Sequence, residues 1–166
     1  MYRYEKVRQF IESIFRRFNV EFLPGATLSG LERPLLIRHE GIGKYLFFLP
    51  PGLVGAEKNE AVGIEVARLL LGQDDYRPRT EAERAVEAKE RILVAAQLLI
   101  PWHVAKVAQR SKWTPRELAE EALVTEQMAA TRMRLQSPSV FLNSSMQVRH
   151  PRSHVQMAKQ RARQSC

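Results

Sequence analysis

The sequence predicts an α+β fold in which a small antiparallel sheet packs against helices and a helical subregion follows. The chain has 166 residues, of which 45% are hydrophobic and 27% are charged, the balance of a globular protein with a sizeable core. Two β-rich runs, Leu35–His39 and Lys44–Leu49, flank a short connection that contains glycine, and this pattern favours a hairpin. Most of the remaining chain places apolar residues at helical spacing, with capping residues between the segments.

The N-terminal segments predict a helix and then a short strand. Phe18–Phe22 is an extended piece that ends at Pro24 and Gly25, and residues 25–34 are expected to form a loop. Before it, the apolar residues fall on one stripe of an amphipathic helix that covers Glu5–Phe18, at Val7, Phe10, Ile11, Ile14, Phe15 and Phe18.

Two longer helices are expected after the hairpin. The first covers residues 56–71 and is stopped by Gly72. Thr80 and Glu83 form a capping box, so the second helix covers Glu81–Ile100. Its last turns are apolar on nearly all sides, which predicts a central, buried helix.

Three short helices are expected next, and Pro101 takes the first helical position of the first one. Thr114 and Glu117 form a capping box around Pro115, and Thr125 caps the last helix. The expected helices cover Trp102–Arg110, Leu118–Leu123 and a segment from Thr125 to Leu135.

Positive charge is concentrated in the C-terminal quarter of the chain. The chain contains 26 Lys and Arg against 18 Asp and Glu, and its last acidic residue is Glu126. Residues 143–166 also contain few large apolar residues, so we expect a flexible basic tail there. The asymmetry favours a polyanion, most often nucleic acid, although a solvated tail that only aids solubility would have the same charge. Residues 127–166 hold seven basic residues and no acidic one: Arg132, Arg134, Arg149, Arg152, Lys159, Arg161 and Arg163.

Two capped helices joined by the tight break Val124–Thr125 form a helix-turn-helix arrangement. The second helix, Glu126–Leu135, is the candidate recognition helix, and the first would cross the DNA backbone. Gln and Arg can bind adenine and guanine edges, and Arg also binds phosphate. The candidate nucleic-acid contacts are Arg116, Gln127, Thr131, Arg132, Arg134, Arg149, Arg152, Lys159, Arg161 and Arg163.

The same helix pair also fits a purely structural role. In this alternative it is a helical hairpin that completes the core and buries Leu118, Ala122, Val124, Met128 and Met133. Three acidic residues beside the proposed contact surface favour the alternative, because they would repel DNA: Glu120, Glu121 and Glu126.

Residues 60–72 are Glu-Ala-Val-Gly-Ile-Glu-Val-Ala-Arg-Leu-Leu-Leu-Gly, and residues 90–101 end in Ala-Ala-Gln-Leu-Leu-Ile-Pro. These segments and their spacing resemble the ImmA/IrrE metallopeptidase domain. In that family one helix carries H-E-x-x-H, and a second carries a metal-ligand Glu and ends in a similar apolar run. The resemblance covers residues 3–135 and implies a zincin-like fold. It implies a degenerate ImmA/IrrE domain over residues 1–100 and a helix-turn-helix-like subregion over 101–142, and the composition indicates the tail over 143–166.

The resemblance fails at the residues that would bind metal. Ile64 and Arg68 occupy the two histidine positions, whereas Glu65 matches the general base and Glu90 matches the third ligand. Zinc needs the two imidazoles, and without the metal no water is activated. We therefore expect a pseudoenzyme with no catalytic residue, metal or cofactor, in which Glu65, Arg68 and Glu90 form a buried ion-pair cluster at a vestigial pocket. The alternative is that Glu65 and Arg68 lie on the surface of an ordinary amphipathic helix.

Other features do not point to an enzyme or a membrane protein. The single cysteine, Cys166, excludes an intramolecular disulfide and a Cys-rich zinc site. The longest apolar runs fall short of the roughly 20 residues that a membrane span needs. The N-terminus mixes charged with apolar residues, so we expect a cytoplasmic protein without a signal peptide.

Three functions are compatible with the sequence. The leading one is a non-catalytic ImmA/IrrE-like regulator that associates with DNA through the helix-turn-helix and the tail. The resemblance implies a link to repressors in mobile elements, phages or stress responses. The second is a protein-interaction module whose degenerate pocket binds a peptide, a regulator or a repressor. The third is a residual metallopeptidase with a non-standard site, and the oligomeric state is left open.

Overall fold

A computed structural model of the chain describes residues 2–23, 30–73 and 78–135. The α+β class is confirmed, because these residues form six helices and three strands. In chain order the elements are α1 (Tyr2–Arg17), β1 (Val20–Leu23), β2 (Leu35–His39), a 3-10 turn (Glu40–Ile42), β3 (Lys44–Phe48), α2 (Gly55–Leu71), α3 (Glu81–Leu99), α4 (Trp102–Arg110), α5 (Pro115–Ala122) and α6 (Glu126–Arg134).

The sheet is mixed, with the strand order β1-β3-β2. The predicted hairpin is confirmed, since β2 and β3 pair antiparallel with Leu36 opposite Phe47. The prediction of an antiparallel sheet is wrong for β1, which pairs parallel to β3 with Phe22 opposite Phe47. A tight connection fixes the direction of β2 against β3, whereas the apolar pattern of β1 contains no information about the direction of its partner.

The core consists of two apolar clusters that share α2. One cluster is helical and includes Ala67 of α2, and the other lies under the sheet and includes Leu69 of α2 with Phe47 of β3. Close packing of α2 on α3 depends on Gly63, because a Cβ at this position would lie 2.7 Å from Cδ1 of Leu99. Gly72 ends α2 in the left-handed conformation, with φ +63°, as its position after Leu71 predicts.

The threonine capping signals are confirmed, whereas Pro101 is the N-cap of α4 and not its first helical residue. Thr114 and Glu117 close a capping box on α5, and Thr80 with Glu83 does the same on α3. Thr125 accepts a hydrogen bond from the Met128 amide at 3.2 Å and caps α6. Side-chain caps depend only on residues within one turn, so the sequence locates these helix starts to the residue.

The burial of α3 differs from the prediction in its first two thirds. Residues 94–100 are buried or half-buried as expected, but Ile92 and Leu93, at the start of the apolar last turns, are more than a third exposed. The reason is a polar cluster on the inner side of the helix. Glu87 pairs with Arg79 at 2.7 Å and with Arg91 at 3.5 Å, so charged groups rather than apolar ones face the protein there.

Among the described helices, none is by itself long and apolar enough to cross a membrane. Taken together, α3 and α4 would meet the length and composition of a span, but they are bent by 79° where they meet.

Candidate functional site

The α5–α6 pair has the dimensions of a helix-turn-helix. An eight-residue helix, a three-residue connection and a nine-residue helix follow one another. Leu123 makes the turn in the left-handed conformation, with φ +53°. The core contacts expected of a structural hairpin are confirmed for Leu118, Val124 and Met128, which are buried, whereas Met133 is exposed.

The start of α6 is held against α2. Asn59 Nδ2 donates a hydrogen bond to the Leu123 carbonyl at 2.8 Å, and the Thr125 hydroxyl donates one to the Glu60 carboxylate. In helix-turn-helix proteins the N-terminal residues of the recognition helix contact the bases. Here that end of the helix lies beside α2 and a carboxylate, which disfavours insertion into a DNA groove.

Four of the predicted contacts on α5 and α6 remain at the surface in full or in part. Gln127 and Arg134 are exposed, and Thr131 is half-buried with its hydroxyl donating to the Gln127 carbonyl at 2.9 Å. Arg116 is exposed but pairs with Glu120 at 3.1 Å, so part of its charge is neutralised. The remaining contacts from the tail lie outside the described residues: Arg149, Arg152, Lys159, Arg161 and Arg163.

Arg132 is not at the surface, and its prediction as a nucleic-acid contact is wrong. Its side chain is fully buried. Its Nε donates to the Ile100 carbonyl at 2.8 Å and its Nη1 donates to the Leu135 carbonyl at 3.1 Å. The guanidinium also lies 5.6 Å from the ring centroid of Trp102, and burial lowers the pKa of Arg132 from its ordinary value. Arg132 therefore joins α6 to the junction of α3 and α4.

The Glu65–Arg68 pair lies in a nearly closed environment. Arg68 Nε is 3.1 Å from Glu65 Oε2, and the two side chains are only 12% and 13% exposed. Arg68 Nη2 also donates to the Leu36 carbonyl of β2 at 2.5 Å. The expected ion pair between α2 residues is confirmed, and the alternative of two surface side chains is wrong.

The prediction that Glu90 completes this ion-pair cluster is wrong. Glu90 is exposed and accepts a hydrogen bond from Gln73 Nε2 at 3.1 Å. Gln73 in turn accepts from Arg91 Nε at 2.6 Å, so Glu90 belongs to the polar cluster of α3. The rotation of α3 about its axis decides this, and sequence spacing alone does not determine that rotation.

Three residues of the predicted pocket, Ile64, Glu65 and Arg68, contact other groups of the protein. Ile64 is half-buried and packs against the helical core cluster, and the guanidinium of Arg68 engages the Glu65 carboxylate. Over residues 5–23, 30–73 and 78–135, no group of three or more His, Cys, Asp or Glu side chains is arranged to hold a metal ion. Arg68 links Glu65 of the same helix to the Leu36 carbonyl of β2.

A basic surface on α4 was missed by the sequence analysis. His103, Lys106 and Arg110 are all exposed on this helix, and Lys112 is exposed just after it. The sequence does contain the signal, because no acidic residue occurs between Glu90 and Glu117. This second stretch without acidic residues lies outside the C-terminal quarter of the chain.

Comparison with known proteins shows a similar fold but identifies no protein family. No protein-family model matches the chain, and no curated protein matches it. A solved structure of a Mycobacterium tuberculosis transcriptional regulator is similar, with a TM-score of 0.55 and 17% sequence identity. The similarity covers 80% of this chain but only 42% of that chain, so this chain spans less than half the length of the regulator. The chain thus shares its fold with part of a transcriptional regulator.

Proposed function

We propose that the protein is a non-catalytic regulator that binds DNA through contacts to the phosphate backbone. The observation that supports this most strongly is the charge distribution. Residues 127–166 contain seven basic residues and no acidic one, whereas residues 1–126 contain 19 basic and 18 acidic residues. Neutralising phosphates releases counterions and drives such binding without any base-specific contact.

Backbone binding is preferred over base reading for two reasons. Asn59 and Glu60 of α2 form hydrogen bonds with the turn that precedes α6. The Arg132 side chain donates to a backbone carbonyl inside the protein. Arg134 remains exposed at the end of α6 and is itself one of the basic residues of the C-terminal quarter. A surface of this kind positions a protein on DNA with little sequence preference.

The absence of catalysis rests on the Glu65–Arg68 pair. If the chain follows the ImmA/IrrE pattern, Arg68 places a guanidinium where that family has a histidine ligand, and the position of the general base is engaged in an ion pair. A cation at this position repels a metal ion, and the Glu65 side chain is only 13% exposed.

The test is a salt titration of duplex DNA binding by the full-length protein, followed by fluorescence anisotropy. Substituting Arg149, Arg152, Lys159, Arg161 and Arg163 together with Gln should weaken binding. It should reduce the slope of log K against log[salt] by up to about 4.5, at about 0.9 per lost phosphate contact.

The matched control replaces five exposed basic residues of the body with Gln: Lys6, Arg8, Arg16, Arg17 and Arg84. The control should keep both the affinity and the slope of the unsubstituted chain. If the unsubstituted protein fails to bind duplex DNA at about 50 mM salt, where backbone contacts are strongest, the proposed function is wrong.

A further inference from the structure

The outer face of α4 is a positively charged surface within the folded body. His103, Lys106 and Arg110 follow one another at i, i+3 and i+7, a spacing that places them on one side of a helix. All three side chains are exposed, as is Lys112 in the turn that follows. At a rise of about 1.5 Å per residue, the three helical residues span roughly 10 Å.

The charge of this face is not neutralised within the part of the chain that the structure describes. Some exposed cations there form ion pairs, such as Arg8 with Glu12, and others, such as Arg17 and Lys89, do not. Over that same part of the chain, Lys106, Arg110 and Lys112 form no ion pair, and no acidic residue lies between 91 and 116.

Helix stability does not account for the arrangement. Cations stabilise the last turn of a helix through its macrodipole, which suits Arg110 at the end of α4. Lys106 lies at the middle of the nine-residue helix, where that effect is weak. Repulsion among like charges on one face costs stability, so the arrangement favours a partner that supplies the missing negative charge.

We infer that the outer face of α4, formed by His103, Lys106, Arg110 and Lys112, binds the phosphate backbone of double-stranded DNA. This inference rests on the proposed function and extends it, because it adds a rigid contact surface to the basic C-terminal stretch. Lysine and arginine side chains on a fixed helix bind phosphate without reading bases, so this face strengthens binding equally for all DNA sequences.

The test compares two triple variants of the full-length chain in duplex DNA binding. The first replaces Lys106, Arg110 and Lys112 with Gln, and the matched control replaces Arg17, Arg84 and Lys89, which are exposed cations on α1 and α3. Both variants lose the same net charge. The α4 variant should reduce the salt slope by about 2 to 3 and lower the affinity roughly tenfold per lost contact at 0.1 M salt, whereas the control should do neither.

A charge-retaining variant separates phosphate binding from damage to the helix. Replacing Lys106 and Lys112 with Arg keeps both charges, and this variant should bind as the unsubstituted chain does. Affinity and slope unchanged in the α4 variant would overturn the inference and leave the proposed function standing. An equal loss in the Arg17, Arg84 and Lys89 control would also overturn the inference, because net charge would then explain the effect. No binding by the unsubstituted chain would overturn both.

Discussion

Arg132 shows how a single side chain can lie at the centre of a helical subregion. A fully buried cation is costly to desolvate, and here two backbone carbonyls and the Trp102 ring offset that cost. Its remaining nitrogen, Nη2, is buried and has no hydrogen-bond partner within residues 5–23, 30–73 and 78–135. The Ile100 carbonyl that it binds lies at the C-terminal end of α3, where helix carbonyls have no partner within the helix.

We expect Arg132→Met to destabilise the protein by about 2–4 kcal/mol, because hydrogen bonds from a charged donor to two carbonyls are lost. Urea unfolding measures the effect. The matched control is Arg134→Met, two residues later on the same helix and exposed, which should change the free energy of unfolding by less than about 0.5 kcal/mol. Equal effects of the two substitutions would show that the buried contacts of Arg132 do not stabilise the fold.

At the scale of elements, α2 is the helix around which the protein is organised. It contributes to both apolar clusters, its Asn59 and Glu60 bind the α5–α6 turn, and its Arg68 binds β2. Its closest approach to α3 is at Gly63, where Leu99 occupies the space that a side chain would need.

The packing of α2 on α3 leads to a prediction with a double-mutant cycle. The new methyl group of Gly63→Ala overlaps the buried Leu99, which costs about 1–3 kcal/mol. Alanine regains about 1 kcal/mol in a helix interior, so the net destabilisation should be up to about 2 kcal/mol. Leu99→Ala alone should cost about 2–5 kcal/mol, and the double variant should cost at least 0.5 kcal/mol less than the sum, by about the range seen for residues in contact.

Gly52→Ala is the control for this cycle, because no atom of the described residues beyond its chain neighbours lies within 4 Å of a Cβ built there. Its effect should stay within about 0.5 kcal/mol. Additive effects of the Gly63 and Leu99 substitutions would contradict direct contact between the two helices at this point.

At the scale of the whole molecule, the fold and the binding surface depend on different charges. The segment up to Glu126 is nearly neutral, with 19 basic and 18 acidic residues, so its stability should vary little with salt. We expect similar urea midpoints at about 50 and 200 mM salt, while DNA affinity falls by orders of magnitude over the same range. A stability that changes as steeply as the affinity would mean that binding and folding share the same charges.

The sequence predicts the local features of this molecule and misses those that depend on how elements are rotated and paired. Thr114 and Thr125 mark helix starts correctly because caps act within one turn. The complementary charges of Glu65 and Arg68 likewise predict their ion pair. The locations of the Glu90 and Arg132 side chains are predicted wrongly. The direction in which each one points depends on how whole helices pack, and local spacing does not determine that.

The parallel pairing of β1 with β3 sets an order in which the sheet can assemble. The β2–β3 hairpin closes over the short connection between His39 and Lys44. The pairing of Val20 with Tyr45, in contrast, closes the much longer stretch of chain between these two residues. Short loops close at lower entropic cost than long ones, so the hairpin provides a ready edge onto which β1 is added late. The strand that joins last is also held on one side only, and its amides should exchange with solvent before those of the central strand.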